Sequence, residues 1–280
     1  MKRRYAICNE TFGAMPLEDA LAMAASAGYT GWEVAPFMLG VDGVGATQID
    51  RITPAARATY RETVDRAGLR IVGLHWLLAK TRGFHLTTGD DSVRRHTAAY
   101  LGKLAELCRD LGGEVMVLGS PEQRNFPPSQ TWQSAMDNAA EVLRGVAPVL
   151  RQTGVRIAIE PLGRLEGNFL TTADEAVKLI QRVNDPNVRL HLDVKAMSDE
   201  PTPIPQIIAN HADHTIHFHA NDPNRRGPGM GEVDFAPILA ALAQTGYEGW
   251  ISIEVFDDSV GVEPMVRQSI ANLEAAEPQQ

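Results

Sequence analysis

The sequence predicts an α/β fold of the (β/α)8 TIM-barrel class, formed as a single domain over residues 1–280. Three observations carry that expectation. Eight short strand-like runs each lead into a helix-like stretch, and no linker or shift of composition divides them. The first run is followed by Cys8-Asn-Glu-Thr-Phe-Gly, not by the G-x-G-x-x-G turn of an open dinucleotide-binding sheet. A later glycine-rich stretch, residues 227–232, does not open a helix as that fingerprint requires.

The strand-like runs are Arg4–Cys8, Gly31–Ala35, Arg70–Trp76, Glu114–Gly119, Arg156–Pro161, Val188–Val194, Thr215–Ala220 and Trp250–Phe256. Between them lie Leu17–Ala27, which is Ala-rich, and Thr53–Ala67, which begins with a Thr-Pro start signal. Asp91–Leu111, Thr131–Arg151 and Thr172–Val183 carry apolar residues at helical spacing, and Thr172-Ala-Asp-Glu fits a capping box. Pro203–Asn210, Asp234–Thr245 and Glu263–Ala275 complete the set, leaving 275–280 as a frayed tail.

A formal net charge of −9 and a pI near 5.4 disfavour a nucleic-acid partner. No apolar run is long enough for a membrane span, and the N-terminal stretch turns polar at Asn9, too soon for a secretory h-region. Cys8 and Cys108 are the only cysteines and form no CxxC, which fits buried thiols in a reducing cytoplasm.

The strand ends hold the chemistry. In a barrel of this class functional groups sit where strands end and βα loops begin. The second run ends in Trp32-Glu33, the third in His75-Trp76, and the fifth to eighth in Glu160, His191-Leu-Asp193, His217-Phe-His219 and Ser252-Ile-Glu254. With a side-chain period of two, His191 shares a face with Asp193, His217 with His219, and Ser252 with Glu254, while the intervening apolar residues face the helices. Four neighbouring strands thus aim a carboxylate or imidazole at one rim. Clustered like charges raise their own energy unless a cation offsets them. Two Glu, one Asp and one His suit one divalent cation, Mn²⁺ first, with Mg²⁺ or Co²⁺ as alternatives.

From Arg156 to Phe256 above all, the chain resembles the xylose-isomerase-like barrel superfamily, in the branch of ketose 3-epimerases of the tagatose and allulose (psicose) type. That resemblance implies that Glu160, Asp193, His219 and Glu254 hold the metal, and that Glu160 and Glu254 are the catalytic pair. One would remove a proton beside a sugar carbonyl to give a cis-enediolate, and the other would return it. It further implies substrate contacts by Glu166, six residues after the first Glu, and by Arg225, six after the metal His. His75, Glu33 and Arg124 are further candidates for substrate contact; His191 and His217 are expected one layer below the metal, and His85, His96, His211 and His214 at the periphery. Trp76 and Phe37 are placed either against a sugar face or in the core.

One departure stands out. The epimerases carry a substrate-binding His three residues after the strand-six Asp, where this chain has Ala196. Lys195 beside it is expected either to meet a bound anion, keto-sugar oxygen or enediolate, or to pair with Asp199 or Glu200 on the surface. The change leaves open a lyase, dehydratase or hydratase acting on an oxidised sugar, a 3-keto-glycoside or an inosose. A non-catalytic sugar-binding subunit is a weaker alternative, since all four metal positions are present. Endonuclease IV shares the fold but needs more ligands and a basic face. The resemblance also implies a small-molecule sugar substrate and a homo-oligomer, dimer or tetramer.

Overall fold

Eight parallel strands close into a barrel in chain order in the computed structural model, which describes residues 3–39 and 48–278. The strands are β1 (Arg4–Cys8), β2 (Gly31–Val34), β3 (Arg70–Leu74), β4 (Val115–Leu118), β5 (Arg156–Ile159), β6 (Val188–Asp193), β7 (Thr215–Ala220) and β8 (Trp250–Ile253), with β8 pairing back onto β1. The helices are α1 (Leu17–Ala27), α2 (Pro54–Arg66), α3 (Asp91–Leu111), α4 (Trp132–Thr153), α5 (Ala173–Val183), α6 (Val194–Met197), α7 (Ile204–Asn210), α8 (Phe235–Gln244) and α9 (Val262–Ala275). Most expected strands were drawn too long at their C-terminal ends. The chain leaves the sheet there to aim functional groups, as at Trp76, whose φ of 51° no strand could hold.

Side-chain caps set the helix starts. Thr53, Asp90, Thr131, Thr172 and Asp234 each accept a backbone N–H from the first turn of the helix that follows. Asp193 does the same for the short α6, which the sequence pattern did not mark. The C-terminal tail is less frayed than its composition implies: Glu277 accepts hydrogen bonds from Tyr5 Oη (2.5 Å) and Arg3 Nε (2.9 Å), and only the last two residues lie outside the described ones. No helix among the described residues is long and apolar enough to cross a membrane.

The large apolar core lies between the sheet and its ring of helices, whereas a separate small cluster of Val115, Val117 and Ala158 occupies the barrel interior. Register explains what else is inside. Asp193 pairs with His219, His219 with Ser252, and Ser252 with Ala6, so these positions share the inward face. Continuing round, Cys8 pairs with Glu33 and Glu33 with Gly73. Irregularities at Trp32/Glu33 and Leu190/His191 adjust the register on either side of the site. Gly73 carries β3 close to β4: a Cβ there would lie 1.9 Å from the Val115 carbonyl oxygen. Gly73→Ala should therefore push the two strands apart and destabilise the barrel by about 1–3 kcal/mol, read as a lowered urea midpoint with an unchanged slope.

Candidate active site

The C-terminal ends of the strands surround a cavity of about 380 Å³ whose wall includes Glu160, Glu166, Lys195, Arg225, Glu254 and Phe256. Glu160 follows β5 directly. Its carboxylate fits because residue 119 opposite is glycine, where a Cβ would lie 1.5 Å from Glu160 Oε2. Burial, reinforced by Glu254 and Asp193, pushes the Glu160 carboxyl well above the usual range.

Asp193 ends β6 with both oxygens held. Oδ1 accepts from Ala196 N at 2.8 Å and Oδ2 from Asn221 Nδ2 at 2.6 Å. Burial raises its pKa, Lys195 opposes the shift, and Glu254 adds to it. Next round the barrel, His219 is wholly buried, with Nε2 3.2 Å from Glu33 Oε1 and Nδ1 3.2 Å from Glu254 Oε2. That second contact is out of hydrogen-bond alignment, so both Nδ1 and Oε2 lack a bonded partner. The other oxygen of Glu254 accepts from Trp76 Nε1 at 2.6 Å. Burial drives Glu254 up, but His219 together with His75 and Lys195 holds the carboxyl below its ordinary range. Trp76 is fixed for this contact by stacking between Phe37 (5.9 Å) and Phe256 (5.8 Å).

Glu160, Asp193 and His219 bring ligand atoms within 4.8 Å of one another, together with His191, while Glu254 joins through its approach to His219. Three of the four expected metal positions, Glu160, Asp193 and His219, thus fall in one potential metal-binding cluster with His191, and Glu254 lies beside it against His219. His191, expected a layer below, has both ring nitrogens unpartnered in this cluster, and burial with its neighbouring imidazoles pushes its pKa well down.

Three expected substrate contacts lie elsewhere. Glu33 is 1% exposed and does not line the cavity; its carboxylate lies between His217 Nε2 (2.8 Å) and His219 Nε2 (3.2 Å). Burial alone would raise its pKa, but the two imidazoles hold it well below the usual range. His75 is fully buried against Glu10 at 2.6 Å. Arg124 is buried behind the wall, donating to the Glu160 carbonyl at 2.6 Å. Each side chain has a buried polar partner, which a strand-end position in the sequence does not disclose, although His75 Nδ1 and Arg124 Nε and Nη2 stay unpartnered.

Glu166, Lys195 and Arg225 do reach the cavity. Lys195 pairs with neither Asp199 nor Glu200: its Nζ donates to Glu166 Oε1 at 2.6 Å and lies 5.1 Å from the centre of the Phe256 ring. The Arg225 guanidinium carbon sits 5.7 Å from the same ring, and its carbonyl accepts from Phe256 N and Asp257 N. Sequence reasoning missed Glu10, Asn221 and the Trp76–Glu254 hydrogen bond. A parity argument carried past the end of β1 would have marked Glu10, two residues after Cys8.

A model of the xylose isomerase-like TIM barrel matches residues 21–276. The chain belongs to that family. The "probable ketose 3-epimerase" of Synechocystis sp. is 27% identical over 78% of this chain and 75% of its own. The structure of D-psicose 3-epimerase with D-tagatose from Clostridium cellulolyticum H10 superposes with a TM-score of 0.84 at 20% identity, covering 98% of this chain and 100% of that one. The structure of a 3-keto-D-glucoside 4-epimerase from E. coli does so at 0.82 and 18%, with the same coverage; at such identities these two structures share the fold. The chain's relatives by sequence include ketose 3-epimerases, and the chain is an enzyme of the sugar isomerase and epimerase kind.

Removing the carboxylate beneath the site should be costly. Glu33→Ala strips two buried imidazoles of their common acceptor and should destabilise the protein by about 3–5 kcal/mol in chemical denaturation, whereas Glu166→Ala at the half-exposed rim should change stability by less than about 1 kcal/mol.

Proposed function

We propose that this enzyme is a divalent-metal-dependent epimerase or isomerase of a keto-sugar, with Glu160 and Glu254 as its proton-transfer pair. The observation that carries the reading is that these two glutamates, directly after β5 and β8, line one cavity, with Asp193 and His219 clustered against Glu160. A cation suits the residues present, because His219 Nδ1 and Glu254 Oε2 are buried, close and unbonded, and Glu160 and Asp193 are carboxylates that burial makes costly to ionise. Glu160, Asp193, His219 and Glu254 would hold it, and the mostly oxygen donor set favours Mn²⁺, Mg²⁺ or Co²⁺ over a thiolate-seeking ion. When bound, the cation supplies polarisation of the sugar carbonyl, acidifying the neighbouring C–H.

The chain's own groups do the rest. One of Glu160 and Glu254 takes the proton from the carbon beside the carbonyl, and the other delivers a proton to the opposite face or to the adjacent carbon. Trp76 holds Glu254 in place through Oε1, and the Trp76–Phe256 stack walls the reacting carbon from water. Glu166, Lys195 and Arg225 at the outer rim meet the distal hydroxyls.

Incubated with Mn²⁺ in D₂O and a panel of ketohexoses, inososes and 3-keto-glucosides, the protein should introduce deuterium beside the carbonyl of one sugar, seen by NMR without other change of mass. Release of water or an aglycone would assign it to elimination instead, and no exchange with any member would overturn the reading. Glu160→Gln and Glu254→Gln should each slow exchange by about 10²–10⁴-fold. Glu33→Gln, by loosening the orientation of His219, should weaken Mn²⁺ binding about 10–100-fold in a direct metal titration.

A further inference from the structure

The opposite end of the barrel carries an arrangement that the proton-transfer chemistry does not use. In a barrel of this kind the interior is filled by layers of side chains drawn from alternate strands, usually branched and apolar. Here the lowest inward layer begins with Arg4 on β1, Arg70 on β3 and Arg156 on β5. Arg4 shares the parity of Ala6, Arg70 pairs with Gly31, which itself pairs with Ala6, and Arg156 pairs with Val115, which pairs with the inward Gly73. Arg4 and Arg70 are exposed and Arg156 is half-buried, so three successive odd-numbered strands present a guanidinium at this rim.

They line a cavity of about 110 Å³ at the N-terminal mouth, together with Glu114, Trp250 and His217. Arg4 is partly engaged: it donates to the Glu248 carbonyl and lies 5.0 Å from the centre of the Trp250 ring. Arg70 and Arg156 make no ion pair or side-chain hydrogen bond with any described residue. Glu114 is the one carboxylate on this wall, so positive charge is in excess in a chain whose net charge is −9. His217 supplies the inner wall; its Nε2 is committed to Glu33, and its Nδ1 is buried with no partner. A second cavity of about 300 Å³ adjoins the first and shares Arg4, Arg156, Ile216 and Gly249 with it; Thr215, Tyr247 and Leu242 extend its wall.

We propose that this mouth is a binding site for a phosphoryl group, held by Arg70, Arg156 and Arg4. Guanidinium forks match the paired oxygens of phosphate, and three of them lining one small cavity supply the charge and the donors. The free ion fits the smaller cavity alone, whereas a phosphate monoester places its organic part in the larger one. Nothing in this assignment depends on the reaction at the other end of the barrel.

The test is calorimetric titration of the protein with inorganic phosphate and, separately, with D-glucose 6-phosphate, in chloride buffer of fixed ionic strength. Saturable binding is expected, unchanged in Arg225→Ala, whose substitution lies at the far mouth. In the Arg70→Gln/Arg156→Gln double variant it should weaken about tenfold or more. Arg70→Glu alone, at an exposed position, provides the same readout should the double variant fold poorly. Hydrogen exchange should slow at the starts of β3 and β5 on binding. Binding of inorganic phosphate as tight as that of the ester identifies the free ion as the ligand; binding of the ester alone identifies the monoester. No saturable binding of either, binding unaffected by the Arg70 and Arg156 substitutions, or binding lost in Arg225→Ala would overturn the proposal.

Discussion

One buried carboxylate organises the interior of this barrel. Glu33 contacts two imidazoles that lie two residues apart on β7, and together they offset its burial and hold its carboxyl well below the usual range. The dependence is mutual. With His219 Nε2 committed to Glu33, its Nδ1 is the nitrogen left facing Glu254, so a residue on β2 fixes which atom β7 presents to the site. Gly73, in register with Glu33, brings no side chain into this crowded layer.

The same constraint shapes where stability comes from. Polar groups such as Cys8, Glu33, His191, His217 and His219 take inward positions, and the apolar cluster inside the barrel is small. The burden of apolar burial passes to the interface between sheet and helices, where faces such as Ala176, Leu179, Ile180 and Val183 of α5 pack against the strands. Such a barrel tolerates a polar interior as long as every charge there has a partner. Among the unsatisfied atoms, His219 Nδ1, Glu254 Oε2 and both nitrogens of His191 lie at the site, where a ligand or cation can meet them.

Periodicity made much of this legible before any coordinates. The (β/α)8 order, the strand starts and the inward parity of Asp193, His219 and Ser252 follow from a period of two read along short runs. The partners of those inward groups were not legible, because they are set across the barrel and not along a strand. Glu33 lies 186 positions from His219, and Trp76 lies 178 from Glu254. Register irregularities at Trp32/Glu33 and Leu190/His191 decide the height at which each side chain stands, and no local pattern announces them. Glu33, His75 and Arg124, read as rim residues, turn out to be buried and outside the cavity lining.

Position 196, where the resemblance implies a histidine, is an alanine at the start of a helix. Asp193 caps α6 through the Ala196 N–H, which turns the backbone into a helix at once and buries Ala196 at its start. Lys195, whose own N–H is held by Asn221, instead sends its side chain over Phe256 to Glu166. The loops after β5 and β6 are thereby joined by an ammonium and a carboxylate 2.6 Å apart at the edge of the cavity. An imidazole would offer a substrate one nitrogen on a rigid ring. An ion pair offers a donor and an acceptor side by side, which suits two neighbouring hydroxyls of a polyol. Because each partner already satisfies the other, a ligand entering here must offer both kinds of group to displace the pairing without leaving a charge unmet.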